Sequence, residues 1–160
     1  MIKTIFLAAG CFWGVQYQML KLDGVVDSEV GFMGGYIEHP TYEDVCRGNT
    51  GHYETVKIVY DSDKVSDEDV LKRYFEIHDF EQADGQGPDI GLQYLSVIFY
   101  TDKEQKVAAA KLMERLKELH YKVRTRLEPA SEFWPAESYH QHYYEKKSGQ
   151  PYCHVRKRIF

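Results

Sequence analysis

Residues 3 to 9 are almost wholly β-branched or apolar, and Gly10 closes the run, which predicts a buried strand. Immediately afterwards Trp13, Tyr17 and Leu20 recur at helical spacing, so the strand gives way to a helix at Cys11. Residues 24 to 33 read as a second strand, closed by Gly34-Gly35. Thr41 caps a short helix carrying Tyr42, Val45 and Cys46, and the alternation from Glu54 to Tyr60 predicts a third strand.

Farther along, Ser66 with Asp69 starts a helix whose apolar face is Leu71, Tyr74, Phe75 and His78. A Gly- and Asp-rich loop of about 15 residues follows, from Asp79 to Gln93, a length that in a compact domain usually serves function or disorder. Tyr94 to Tyr100 is a fourth strand. Thr101 and Glu104 form a capping box for the longest helix, which places Ala109, Leu112, Met113, Leu116 and Leu119 on one face. Beyond Arg126 the pattern is irregular, apart from a short helix around 139 to 146.

The order strand, helix, strand, strand, helix, strand, helix predicts an α/β (α+β) two-layer sandwich. Helices would pack on one mixed sheet with a ferredoxin-like βαββαβ core, and the C-terminal tail would be irregular. No repeat, low-complexity tract or linker divides the 160 residues, so residues 1–160 are expected to form a single domain, 126–160 being mostly the tail.

Composition narrows the function. The net charge of -5 leaves no basic field to gather a polyanion, which argues against nucleic acid, and the terminal Lys146, Lys147, Arg156, Lys157 and Arg158 are read as a solvated tail. No apolar run approaches the roughly 20 residues that span a bilayer. The opening segment ending in Cys11 has an apolar stretch shorter than a signal peptide requires, so a cytoplasmic protein is expected. Thirteen Tyr, eight Phe and two Trp exceed what a small core needs and fit a pocket lined with rings. Cys11, Cys46 and Cys153 are odd in number and widely spread, which excludes a disulfide scaffold and leaves catalytic or buried roles.

Cys11 has the most telling setting. A thiol between a strand and the first turn of a helix meets unpaired N–H groups and the positive end of the helix dipole, which favour the thiolate. Gly10 and Gly14 bracket Cys11, Phe12 and Trp13, allowing close backbone approach beside two large rings that can wall an apolar pocket.

Gly10-Cys11-Phe12-Trp13-Gly14 resembles the signature pentapeptide of the A-type methionine sulfoxide reductases, and further motifs follow in the same order. They are Gly34-Gly35-Tyr36, Pro40-Thr41-Tyr42, Val45-Cys46-Arg47-Gly48, Gly51-His52-Tyr53-Glu54, His78-Asp79, Gln86-Gly87, Asp89, Gly91 and Gln93-Tyr94. The likeness runs from about residue 4 to residue 153. It implies a monomeric enzyme that reduces the S epimer of methionine sulfoxide, in proteins, peptides and free form, and so repairs oxidative damage.

By that resemblance Cys11 is the nucleophile, Glu54 protonates the sulfoxide oxygen, and Tyr42 and Tyr94 donate hydrogen bonds to it. Phe12 and Trp13 would hold the substrate methyl, with Asp89 on the polar side of the pocket. The sulfenic acid left on Cys11 would condense with Cys153, whose neighbour Tyr152 resembles the family's recycling segment. Thioredoxin or another dithiol would then reopen the disulfide, with no bound cofactor. Cys46 is the alternative partner, although its place on the apolar side of a short helix favours burial. Phe80 stands where the family commonly has proline, Phe32 where it has tyrosine, and the tail holds one candidate recycling cysteine where some members have two.

Three rival readings make different demands. A metal site would use His140, His142 and His154, which lack the usual paired-ligand spacing. A cysteine hydrolase would pair Cys11 with a histidine base and pass through an acyl-enzyme. A module that binds oxidised methionine without turnover would leave Cys11 unoxidised.

Overall fold

The computed structural model describes residues 1–48, 50–143 and 154–160. Strand β1 (Ile2–Ala9) runs through the middle of the sheet and is apolar on both faces because both are covered. Ile5, Leu7 and Ala9 face one way into the main core, while Phe6 and Ala8 face the other with Met33, Tyr53, Val97 and Phe99. Helix α1 (Phe12–Met19) follows directly, then β2 (Val25–Met33), the short α2 (Tyr42–Arg47), β3 (Tyr53–Asp61) and α3 (Asp67–Glu76). The Gly- and Asp-rich loop is partly ordered. It contains a small hairpin, β4 (Gly85–Gln86) with β5 (Asp89–Ile90), and a 3-10 turn over Leu92–Tyr94. The chain continues through β6 (Ser96–Tyr100), α4 (Lys103–Glu118), β7 (Arg126–Pro129) and β8 (Trp134–Pro135).

The sheet order is β7-β6-β1-β3-β2-β8. Its four inner strands, β6-β1-β3-β2, pair antiparallel throughout, which is the ferredoxin-like arrangement of a βαββαβ unit. Parallel pairing of β7 with β6 makes the sheet mixed. The expected two-layer α/β sandwich is therefore present, with helices over the face that carries Ile5, Leu7, Ile58 and Ile98.

Three local expectations are revised. The tail is not irregular from residue 126: β7 and β8 complete the two edges of the sheet, and Phe133 packs on Phe6 with ring centroids 5.2 Å apart, covering the second face. These strands are four and two residues long, too short for an alternation to be visible. The cap of α4 is Asp102, not Thr101. Asp102 accepts from the Gln105 N–H at 2.8 Å, while the Thr101 hydroxyl is engaged on the Thr4 carbonyl at 2.6 Å. Thr41 and Ser66 cap α2 and α3 as expected. Where a helix was expected over 139 to 146, a 3-10 turn spans Ser138–His140, and residues from 144 to 153 lie outside the described ones. Among the described residues no helix is long and apolar enough to cross a membrane.

Candidate active site

The β1–α1 turn builds the site. Gly10 takes φ +89°, a left-handed conformation, and a Cβ there would stand 2.6 Å from the Gln86 Cβ. Only glycine lets the β4–β5 hairpin press against the turn. Cys11 follows as the N-cap residue of α1 and is half-buried; its side chain makes no capping bond, so its sulfur is not spent on the helix. The N–H groups of the first turn, which have no partner within the helix, lie next to it, and the helix dipole favours an anion there.

Glu54 comes from β3, at the position paired with Phe32 of β2, and only 1% of it is exposed. Its Oε1 accepts from the Phe12 N–H of the first turn at 3.3 Å, which brings the carboxyl to the start of α1. Its Oε2 is buried without a hydrogen-bond partner among the described residues. Burial, and after it the nearby Cys11, push the carboxyl well above the ordinary carboxylate range; the Phe12 N–H pulls the other way and Asp89 adds to the rise. A protonated Glu54 thus keeps its second oxygen unengaged by any described protein group.

Two phenols flank this carboxyl. Tyr42 opens α2 and Tyr94 ends the 3-10 turn, and both are half-buried. Burial, then the charge of Glu54, raises the pKa of each, so both remain O–H donors. Asp89 on β5 is close enough to act electrostatically on both Glu54 and Tyr94.

The apolar wall is aromatic. Phe12 is fully buried and forms its floor, packed on Phe32, Tyr42 and His140 with centroids 5.6, 5.9 and 5.6 Å away. Trp13 is half-buried above it, stacked on Tyr143 at 4.0 Å and roughly parallel to Tyr42 at 5.9 Å. The turn thus gathers a thiol, a buried carboxyl that resists ionisation, two phenols and a ring-lined wall, a set suited to nucleophilic attack coupled to proton donation.

A family model described as peptide methionine sulfoxide reductase matches residues 3–160. The chain belongs to the A-type peptide methionine sulfoxide reductases. It is 50% identical over 141 residues to the peptide methionine sulfoxide reductase MsrA of Methanothermobacter thermautotrophicus, covering 86% of this chain and 83% of that one. Among solved structures, Mxr1 from Saccharomyces cerevisiae in reduced form superposes with a TM-score of 0.91 at 32% identity, over 98% of this chain and 92% of that one. Mxr1 in complex with Trx2 shares the fold, with a TM-score of 0.65 at 24% identity over 98% and 90% of the two chains. The reaction of this reductase is the reduction of methionine sulfoxide.

Within the reductase, seven of the eight residues expected at the site, Cys11, Phe12, Trp13, Tyr42, Glu54, Asp89 and Tyr94, lie around the β1–α1 turn. Cys153 is outside the described residues. Its neighbour His154 is fully buried, with Nε2 on the Ala9 carbonyl at 2.6 Å and its own carbonyl accepting from Gln18 at 2.7 Å. The bareness of Gly14 makes room for this ring, since a Cβ there would stand 2.3 Å from His154 Nδ1.

Cys46 departs from expectation. It is exposed, because α2 has only six residues and buries Val45 alone. Tyr42, Tyr94, Glu54 and Cys11 are near enough to influence its thiol electrostatically. Glu137 was not singled out by the sequence, and His140 was weighed there only as a metal ligand; the two stand behind Trp13 and Tyr42. A Glu and a His three residues apart in an irregular segment give no signal of their own.

Proposed function

We propose that Cys11 attacks the sulfur of methionine sulfoxide while Glu54 protonates its oxygen. The observation that carries this reading is the Glu54 carboxyl, buried beside the Cys11 turn with one oxygen fixed by the Phe12 N–H and the other unpartnered. The sulfoxide oxygen would accept from that second oxygen, with the Tyr42 and Tyr94 hydroxyls swinging to it, and the methyl group would lie against Trp13 over the Phe12 floor. Burial chiefly holds the proton on Glu54, and the charge of Asp89, on the polar side of the pocket, adds to it. As sulfur takes the thiolate's electron pair, the oxygen takes the Glu54 proton. Net, thiolate, proton and sulfoxide become Cys11 sulfenic acid and methionine.

Cys153 is the proposed resolving thiol. Its attack on the sulfenic sulfur forms the Cys11–Cys153 disulfide and releases water. Burial of His154 against the β1–α1 turn supports this choice, because it ties the next residue in sequence to the helix that begins at Cys11. A thioredoxin-like dithiol would reopen the disulfide, in keeping with the Trx2 complex known for Mxr1. We assign the S epimer, in proteins, peptides and free form, to a monomer acting in the cytoplasm.

The test is single-turnover methionine formation by the fully reduced protein. Glu54→Gln should slow it by about 10²–10⁴-fold, the range of a positioned acid. Tyr42→Phe and Tyr94→Phe should each slow it less, because each leaves one phenol, and the double variant should approach Glu54→Gln. A Glu54→Gln rate within about threefold of wild type would end the assignment of the acid.

A further inference from the structure

The indole of Trp13 has one polar atom, and it is held from outside the proposed chemistry. Its Nε1–H donates to Nδ1 of His140 at 3.0 Å. Indole nitrogen only donates, so Nδ1 must carry a lone pair and the ring proton must sit on Nε2. That side faces Glu137, with Oε2 3.4 Å from Nε2. Both atoms are buried and neither has a hydrogen-bond partner among the described residues, so the two groups face each other as an electrostatic contact without hydrogen-bond geometry. The other Glu137 oxygen accepts from the Tyr42 backbone N–H at 3.3 Å. The His140 ring also packs on Tyr42 at 4.4 Å and on Phe12 at 5.6 Å. The pair thus touches Phe12, Trp13 and Tyr42 together.

The segment bearing the pair is itself fastened. Strand β8 pairs with Gly31 and Phe32, and just beyond the 3-10 turn the Gln141 amide imitates a further strand residue. Its Oε1 accepts from the Val30 N–H at 2.8 Å and its Nε2 donates to the Val30 carbonyl at 2.9 Å. A fixed backbone with a single permitted tautomer leaves the indole little freedom to turn.

We propose that Glu137 and His140 are positioning residues that lock the plane of the Trp13 indole and thereby set the width of the slot that admits a methyl group. This rests on the reading that Trp13 receives the substrate methyl. Selectivity for methyl over larger alkyl sulfoxides then depends on a hydrogen bond behind the pocket, made by groups that do not touch the reacting atoms.

Two variants of the full reduced chain separate positioning from mere packing. His140→Phe keeps the ring stack and removes the acceptor; His140→Asn keeps an acceptor near the Nδ1 position and removes the ring. Each is assayed in single turnover with a methionine sulfoxide peptide and with the same peptide carrying ethionine sulfoxide, and folding is checked by circular dichroism. His140→Phe should raise the half-saturating concentration of the methyl substrate by about threefold to tenfold, the effect of one hydrogen bond, with the saturated rate changed less than about threefold. It should also narrow the preference for methyl over ethyl, and His140→Asn should restore most of both. Unchanged selectivity in His140→Phe, or equal impairment in the two variants, would overturn the proposal. Should His140→Phe not fold, His140→Gln, whose amide reaches past the Nδ1 position, replaces it in the same comparison. An unaltered half-saturating concentration in Trp13→Ala would instead remove the underlying role of Trp13, and that experiment is done first.

Discussion

A carboxyl that stays protonated inside a protein carries a cost that its removal should reveal. Glu54 has a pKa raised above its unfolded value, so its contribution is neutral below about pH 4.5 and becomes a growing destabilisation as pH rises toward the raised value. Glu54→Gln preserves the shape and the acceptor for the Phe12 N–H without the ionisable proton. The expected result is a protein whose thermal midpoint exceeds wild type at pH 8 by several degrees, with the gap closing near pH 4. Equal midpoints at pH 8 would mean that Glu54 ionises freely in the fold. The sequence alone did not expose this residue, since a glutamate at the start of a strand is ordinarily solvated. Its burial depends on α1 lying over the β2–β3 pair, which is a tertiary fact; only the resemblance of the Gly51-His52-Tyr53-Glu54 motif marked it in advance. Cys11 was visible on local grounds, because the strand, the glycine and the helical spacing all lie within a few residues of it.

At the scale of elements, Lys3 ties helices to the sheet. Its ammonium, on a side chain only 6% exposed, lies 2.7 Å from Asp67 in the first turn of α3 and 3.0 Å from Asp102, the cap of α4. Burial lowers the pKa of the ammonium, but the bonds from Asp67 and Asp102 outweigh it and raise it overall. Lys3→Met keeps most of the apolar stem and leaves two carboxylates on helix N-termini that partly stabilise them. A loss of about 1–3 kcal/mol is expected, seen as a fall of about 2–12 °C in thermal midpoint with single-turnover activity retained. A midpoint unmoved by the change would show that the helix N-termini alone hold these acids. The elements themselves were largely legible: β1, β2, β3, α3 and α4 follow strong hydrophobic periods, and Thr41 and Ser66 cap as their residue types dictate. Asp102 displaced Thr101 because two overlapping capping patterns compete there and the Thr4 carbonyl claims the Thr101 hydroxyl. Cys46 was misplaced for a related reason, since a six-residue helix has too little length for its apolar side to be defined.

Across the whole molecule, buried histidines set the acid limit. The buried His140 and His154 are held below their ordinary range by burial, and desolvation pushes the half-buried His78 down as well. A base whose folded pKa is depressed gives stability that is complete above about pH 6.5 and is lost as pH falls toward the folded value, at up to ~1.4 kcal/mol per pH unit for each group. Glu54 works in the opposite direction above about pH 4.5, so three histidines act against one carboxyl between those limits. Denaturant midpoints should fall as pH goes from about 7 to 5, and Glu54→Gln, which removes the opposing carboxyl, should steepen the fall. A flat profile would place the histidines in contact with water. At this scale the ferredoxin-like core followed from element order, whereas the closing strands β7 and β8 did not, because their pairing is set by distant edges and not by any period of their own. The tail's attachment was equally hidden: Glu76, buried on α3, accepts from Arg156 Nε at 3.1 Å and from the Ile159 N–H at 3.0 Å. A glutamate on an amphipathic helix gives no sign of such partners.

The most direct test of the central claim is to mix the fully reduced protein with one equivalent of a methionine sulfoxide peptide, without reductant, and then map every cysteine by intact mass and peptide analysis. The account predicts one methionine per chain and oxidation that begins at Cys11, with Cys11→Ser forming none and Cys153→Ser halting at the Cys11 sulfenic acid. Methionine formed while Cys11 remains a thiol, or no methionine from the intact protein, would contradict it.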